Sequence, residues 1–104
     1  MAFYLVRAKP KKDFLPKLSG LLKQNAFVDI QPFGHAITKG LENARFDDKK
    51  NIAVWEEKDF CSPPLEEERK AVLDSYFYDV QVEKVKEGEG WKRIENLPML
   101  FANI

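Results

Sequence analysis

His35 is the only histidine among the 104 residues, and it lies between Gly34 and Ala36. Imidazole changes its charge near neutral pH, so His35 is the first candidate for a general acid or base. A single histidine in a loop is more often a surface or packing residue, and both interpretations stay open. His35 and Cys61 lack the paired spacing of zinc-binding motifs, which predicts no metal site.

Cys61 is the only cysteine and precedes a predicted helix, where the partial positive charge of the helix end favours a thiolate. The glutamates that follow at 66–68 oppose this effect, so burial is favoured over nucleophilic catalysis. Gly88 and Gly90 mark a turn without an evident following helix, which does not match a phosphate-binding loop. We therefore predict no cofactor.

Acidic and basic side chains also occupy positions that could bind a ligand. Glu56 and Glu57 are neighbours near the end of a predicted strand, so they point to opposite faces and cannot easily act together on one substrate. Arg69 lies on the predicted apolar stripe of a helix, where a guanidinium needs an acidic partner or an anionic ligand. An internal salt bridge to Glu68 or Glu56 is favoured over a bound small anion. The candidate binding residues are His35, Arg69, Arg45, Glu56 and Cys61.

Apolar periodicity predicts the elements that position these residues. Residues 27–41 are the least regular part, because Pro32, Gly34 and Gly40 interrupt any pattern. Irregular structure is favoured there, and a helix from His35 onward is the alternative. The remaining elements are a strand at 3–8, a helix at 13–23, a strand ending at 45–46, a strand at 52–57, a helix from about 64, and a strand at 78–84.

This order predicts an α+β domain, a ferredoxin-like βαββαβ two-layer sandwich that covers residues 1–104. Strands 3–8 and 52–57 are apolar on both faces and should be central, whereas strand 78–84 has one polar face and should be an edge. An apolar C-terminal extension, residues 88–104 (the tail), should dock on its own sheet or on a neighbour. If both helices cover one sheet face, the other face needs a second subunit, which predicts a homodimer or higher oligomer.

The two-sided central strands and the element order resemble the dimeric α+β barrel superfamily, which includes muconolactone-isomerase-like and small monooxygenase-like proteins. The resemblance extends over nearly the whole chain to Lys86 and implies pairing of two copies sheet to sheet. No diagnostic motif accompanies it, so it carries over no catalytic residue.

Composition narrows the function classes. Lysine plus arginine equals aspartate plus glutamate at 17 each, and this zero net charge disfavours a general nucleic-acid binder. No stretch approaches the ~20 apolar residues that span a bilayer, so no membrane partner is expected. One cysteine and the lack of a signal-peptide pattern favour the cytoplasm.

Two functional hypotheses follow. The first is an oligomeric small-molecule-binding protein or cofactor-free enzyme with a pocket between sheet and helices, for which a small anionic ligand is the candidate. The second is a non-catalytic oligomeric scaffold or protein-interaction module. The first requires convergent polar groups in a pocket, and the second requires a filled core with His35 exposed and Arg69 paired internally.

Overall fold

A computed structural model describes residues 2–59 and 65–102, which form an α+β domain around a four-stranded antiparallel sheet. The spatial order is β2-β3-β1-β4, so the first and third strands are central and the fourth is an edge, as predicted. The strands are β1 (Ala2–Pro10), β2 (Arg45–Asp47), β3 (Ile52–Asp59) and β4 (Phe77–Val85).

Four helices surround the sheet in the described residues. A 3-10 turn (Lys12–Phe14) leads into the first helix, and the third is continuous over 66–76 with a π-helical middle, Arg69–Leu73. The helices are α1 (Leu15–Lys23), α2 (Gly34–Glu42), α3 (Glu66–Glu68, Arg69–Leu73 and Asp74–Tyr76) and α4 (Glu89–Arg93).

Helix α2 corrects the preferred interpretation of residues 27–41. Irregular structure ends at Phe33, and the helical alternative is right from Gly34 onward. Ile37 and Leu41 are fully buried one turn apart, so burial of this face outweighs the low helix propensity of Gly40. The structure therefore has two helices between β1 and β2 where the sequence predicted one.

The helical layer packs on one face of the sheet. Val6, Ala8, Ala53 and Trp55 of the central strands meet apolar residues from α1, α2 and α3 in one core cluster. Phe14 is half exposed, and it belongs to the 3-10 turn that precedes α1.

The tail covers the opposite face of the sheet. Leu5 of β1, Val54 of β3 and Val85 of β4 form a second buried cluster with Ile94, and Leu97 packs against it. The short helix α4, which the sequence did not predict, begins this covering segment. The face that we expected a second subunit to cover is therefore buried by the same chain, which removes the premise of sheet-to-sheet pairing.

The tail crosses the sheet from the β4 edge to the β2 edge. There the Phe46 N–H donates to the Pro98 carbonyl at 2.8 Å, and the Leu100 N–H donates to the Ala44 carbonyl at 2.8 Å. At the end of α4, Arg93 forms an ion pair with Glu83 of β4 at 2.7 Å. Polar contacts therefore fix the tail at both edges of the sheet.

Among the described residues, no helix is long and apolar enough to cross a membrane.

Candidate functional site

A cleft of about 560 Å³ lies beside the part of β3 that extends beyond its pairing with β2. The β2 ladder reaches only Val54, which pairs with Arg45, whereas the β1 ladder continues along β3 to Asp59. Helix α2 approaches the part of β3 that β2 leaves uncovered, and a Cβ atom on Gly40 would lie 2.8 Å from Trp55 Cδ1. The missing side chain at Gly40 thus allows α2 to form one wall, and the start of the tail forms the other.

The cleft combines basic, acidic and apolar side chains. The basic groups come from α2 and β3, and the apolar surface comes from β1, the loop before α2, α2 itself and α4. Its lining includes His35, Lys39, Lys58, Glu56, Glu57, Glu87, Phe3, Pro32, Ala36 and Trp91.

His35 and Lys39 are the polar groups available to a ligand. They are four residues apart on α2, so they occupy the same face of the helix, and both are exposed. In the described ranges neither side chain makes a hydrogen bond or an ion pair. The sequence left open whether His35 has a functional role or is a surface or packing residue. In the structure it is an exposed residue that lines the cleft.

Glu56 is a cleft residue whose carboxylate is already used by the tail. It is 5% exposed, and its Oε2 accepts the Gly88 N–H at 2.9 Å while its Oε1 accepts the Gly90 N–H at 2.7 Å. These amides open α4, where backbone N–H groups lack partners within the helix and favour negative charge. Glu56 fixes the tail to the sheet, and the expected binding role gives way to this structural one.

Glu57 points to the other face of β3 and is 2% exposed. Its Oε1 accepts the Trp55 Nε1–H at 2.8 Å, whereas its Oε2 accepts no N–H or O–H group from the described residues. The Glu57 carboxyl also interacts with the carboxyl of Glu68 on α3. Burial raises the pKa of Glu57; the bonds to Glu68 and Trp55 act in the opposite direction, and the charge of Asp59 adds to the rise. As predicted, Glu56 and Glu57 serve opposite faces.

The other predicted residues lie away from the cleft. The Arg45 guanidinium donates to the main-chain carbonyls of Glu95 at 3.1 Å and Leu97 at 2.6 Å, so it binds the tail. Arg69 is partly buried, and it forms no ion pair with any residue in the described ranges, so the expected internal salt bridge is absent there. Cys61 is outside the described residues.

The helix position that the sequence assigned to Arg69 belongs to Glu68. Glu68 is completely buried on the stripe between Leu65 and Val72, whereas Arg69 turns partly toward solvent. The sequence showed that a polar residue interrupts this stripe, and the spacing of three from Leu65 was the available signal for Glu68. Lys39 was not among the predicted site residues. Its spacing of four from His35 places both side chains on one face once this segment is known to be a helix.

A second depression of about 440 Å³ lies on the other side of His35 and Lys39. Asn25, Asp29 and Glu42 contribute polar groups there, and its lining contains no Phe, Tyr or Trp side chain. In the part of the chain that the structure describes, no group of three or more His, Cys, Asp or Glu is arranged to hold a metal ion. The cleft with aromatic walls is therefore the stronger candidate site.

Comparison of the chain with family models, curated proteins and solved structures gave no match. The functional interpretation rests on the geometry of the cleft.

Proposed function

We propose that this protein binds a small anionic molecule with a flat apolar part in the cleft between α2, β3 and the tail. The observation that carries the proposal is the position of His35 and Lys39, two basic side chains without described partners, on the same cleft as Trp91 and Phe3. Basic groups bind a carboxylate or phosphate, and aromatic rings bury the flat part of a ligand.

The polar groups that remain available in the cleft favour an anion over a cation. Glu56 is occupied by backbone amides of the tail, and Glu57 is occupied by Trp55 and Glu68. Glu87 is the remaining acidic group, and it is exposed. Two available basic side chains thus stand against one acidic group that water already solvates.

We propose a ferredoxin-like arrangement for the domain, in the cytoplasm. The antiparallel order β2-β3-β1-β4, with α1 and α3 on one face, supports this arrangement. Helix α2 and the covering tail are additions to the βαββαβ pattern. The oligomeric scaffold hypothesis has less support, because the tail buries the sheet face that it would use.

The test is a titration with benzoate followed by ¹H–¹⁵N NMR, with benzamide as the neutral control. Benzoate should shift the Trp91 indole signal, and Lys39→Met should weaken its binding about tenfold, because one ion pair is lost. Lys23→Met, an exposed lysine on α1, is the matched control and should bind as the unaltered protein does.

Native mass spectrometry of the freshly purified protein complements this titration by reporting the subunit number and any retained small molecule. A retained anion would identify the natural ligand class. If neither a retained molecule nor a shift of the Trp91 signal is found with benzoate or inorganic phosphate, the proposal is wrong and the scaffold hypothesis gains support.

A further inference from the structure

Three carboxyl groups are buried where β3 meets α3. Glu57 and Asp59 lie on the helix-facing side of β3 and are 2% and 4% exposed, and Glu68 of α3 is 0% exposed. Removing an ionised carboxylate from water costs several kcal/mol unless hydrogen bonds and opposite charges compensate it. The protonation state of these three carboxyl groups therefore affects how stably α3 packs on the sheet.

Glu57 and Glu68 cannot both be ionised and hydrogen-bonded to each other. An ionised carboxylate only accepts hydrogen bonds, so a bond between two carboxyl groups requires a proton on one of them. Trp55 occupies Glu57 Oε1, whereas Glu57 Oε2 receives no N–H or O–H group from the described residues and is available to Glu68. We propose that Glu57 and Glu68 share one buried proton, which holds α3 against the sheet and sets the charge of the cleft floor.

The charged groups around the pair act in both directions on this proton. Asp59, two residues along β3, adds a negative charge, and its own Oδ2 accepts the Leu65 N–H at 2.8 Å where α3 begins. Arg69 follows Glu68 on α3 and forms no ion pair within the described ranges. The basic groups of α2 and β3, His35, Lys39 and Lys58, lie on the cleft that Glu57 also lines, and positive charge there favours an ionised carboxylate. Burial, the main cause of the raised pKa of Glu57, is therefore what keeps the proton on the pair.

The pair gives the stability of the fold a defined dependence on pH. Burial, the main cause, raises the pKa of Glu57 in the folded protein above its ordinary value. The folded protein therefore retains a proton that the unfolded chain releases. The stabilisation is complete below the ordinary carboxyl pKa and is lost as pH rises through the raised folded value.

The first experiment follows the glutamate carboxyl carbons of the ligand-free protein by ¹³C NMR as pH increases. Two carbons, those of Glu57 and Glu68, should shift together in shared steps, and one step should fall above the ordinary glutamate pKa of about 4.3. Independent titration of both groups at ordinary values would overturn the proposal, and this readout requires no variant.

The second experiment compares the pH dependence of unfolding in three variants. Glu57→Gln and Glu68→Gln supply a permanently neutral partner, so each should lose the decrease in stability at rising pH. Glu67→Gln changes an exposed neighbour and should keep that decrease. An unchanged decrease in both Glu57→Gln and Glu68→Gln would contradict the shared proton. If the Gln variants fail to fold, the titration of the unaltered protein decides the question.

Discussion

Replacement of Glu56 by glutamine should release the tail from the sheet. The carboxylate accepts two short bonds from the Gly88 and Gly90 amides, and it is 5% exposed. Glutamine keeps one acceptor atom and places an NH₂ group where the other oxygen accepted an N–H. One charge-assisted bond is lost, and a buried donor is left facing another donor.

These two losses set the size of the effect. A hydrogen bond to a charged group contributes about 1.5–3 kcal/mol, and an unsatisfied buried donor costs about 1–3 kcal/mol. Because the remaining bond can adjust, we expect the free energy of unfolding to fall by about 2–5 kcal/mol, a large part of the ~5–15 kcal/mol typical of a domain. Urea denaturation measures this change.

Native-state hydrogen exchange identifies where the loss occurs. In Glu56→Gln the Gly90 amide should exchange much faster, while amides of the β1–β3 ladder change only as far as global stability changes. Glu87→Gln is the matched control, because Glu87 is exposed and its substitution should alter stability by less than about 0.5 kcal/mol. A loss below about 1 kcal/mol in Glu56→Gln, or unchanged exchange at Gly90, would refute the assigned role of Glu56.

Three further changes test the packing around the sheet. Gly40→Ala places a Cβ atom 2.8 Å from Trp55 Cδ1 and should cost about 1–3 kcal/mol in urea unfolding, whereas Gly20→Ala, with no atom within 4 Å, should stabilise by about 0.5–1 kcal/mol. Ile94→Ala removes a buried tail residue and should cost about 2–5 kcal/mol; a loss below 1 kcal/mol would show that the tail contributes little. Hydrogen bonds from Arg93 and Arg7 hold the pKa of Glu83 at about 2. These ion pairs therefore stabilise the fold fully above the ordinary pKa of a carboxyl group, and the stabilisation is lost as pH falls toward 2. Glu83→Gln should remove this acid-side decrease in melting temperature, and an unchanged decrease would contradict the ion pair.

Short-range patterning predicted the central part of the fold. Alternation of apolar residues identified β1 and β3 as central strands, and the polar face of β4 identified it as an edge. These predictions depend only on which residues of one strand share a face, a property that the period of two determines. The predicted helix over 13–23 likewise ends where expected, since α1 ends at Lys23 and Asn25 follows in the left-handed conformation, with φ of 57°.

Helix α2 and the position of the tail depend on tertiary contacts, so local sequence patterns could not predict them. Helix α2 contains Gly34 and Gly40, which oppose a helix locally, yet both glycines permit close packing that a side chain would prevent. The tail was recognised as apolar, but its position on the second sheet face depends on Glu56 and Arg45, residues 30 or more positions away in sequence. No local pattern links a strand carboxylate to the amides of a distant short helix.

The same alternation that separates Glu56 from Glu57 explains how one strand holds both outer layers. Glu56 points to the tail and binds the amides that open α4, whereas Glu57 points to the helices and binds Trp55 and Glu68. The sequence predicted that the two carboxyl groups cannot easily act together on one substrate, and the structure gives them separate partners. Because both also line the cleft, a ligand there would contact the residues that hold the tail and α3 in place. Ligand binding should therefore protect the Gly90 amide from exchange, since a ligand that binds only the assembled cleft must stabilise the contacts that form it.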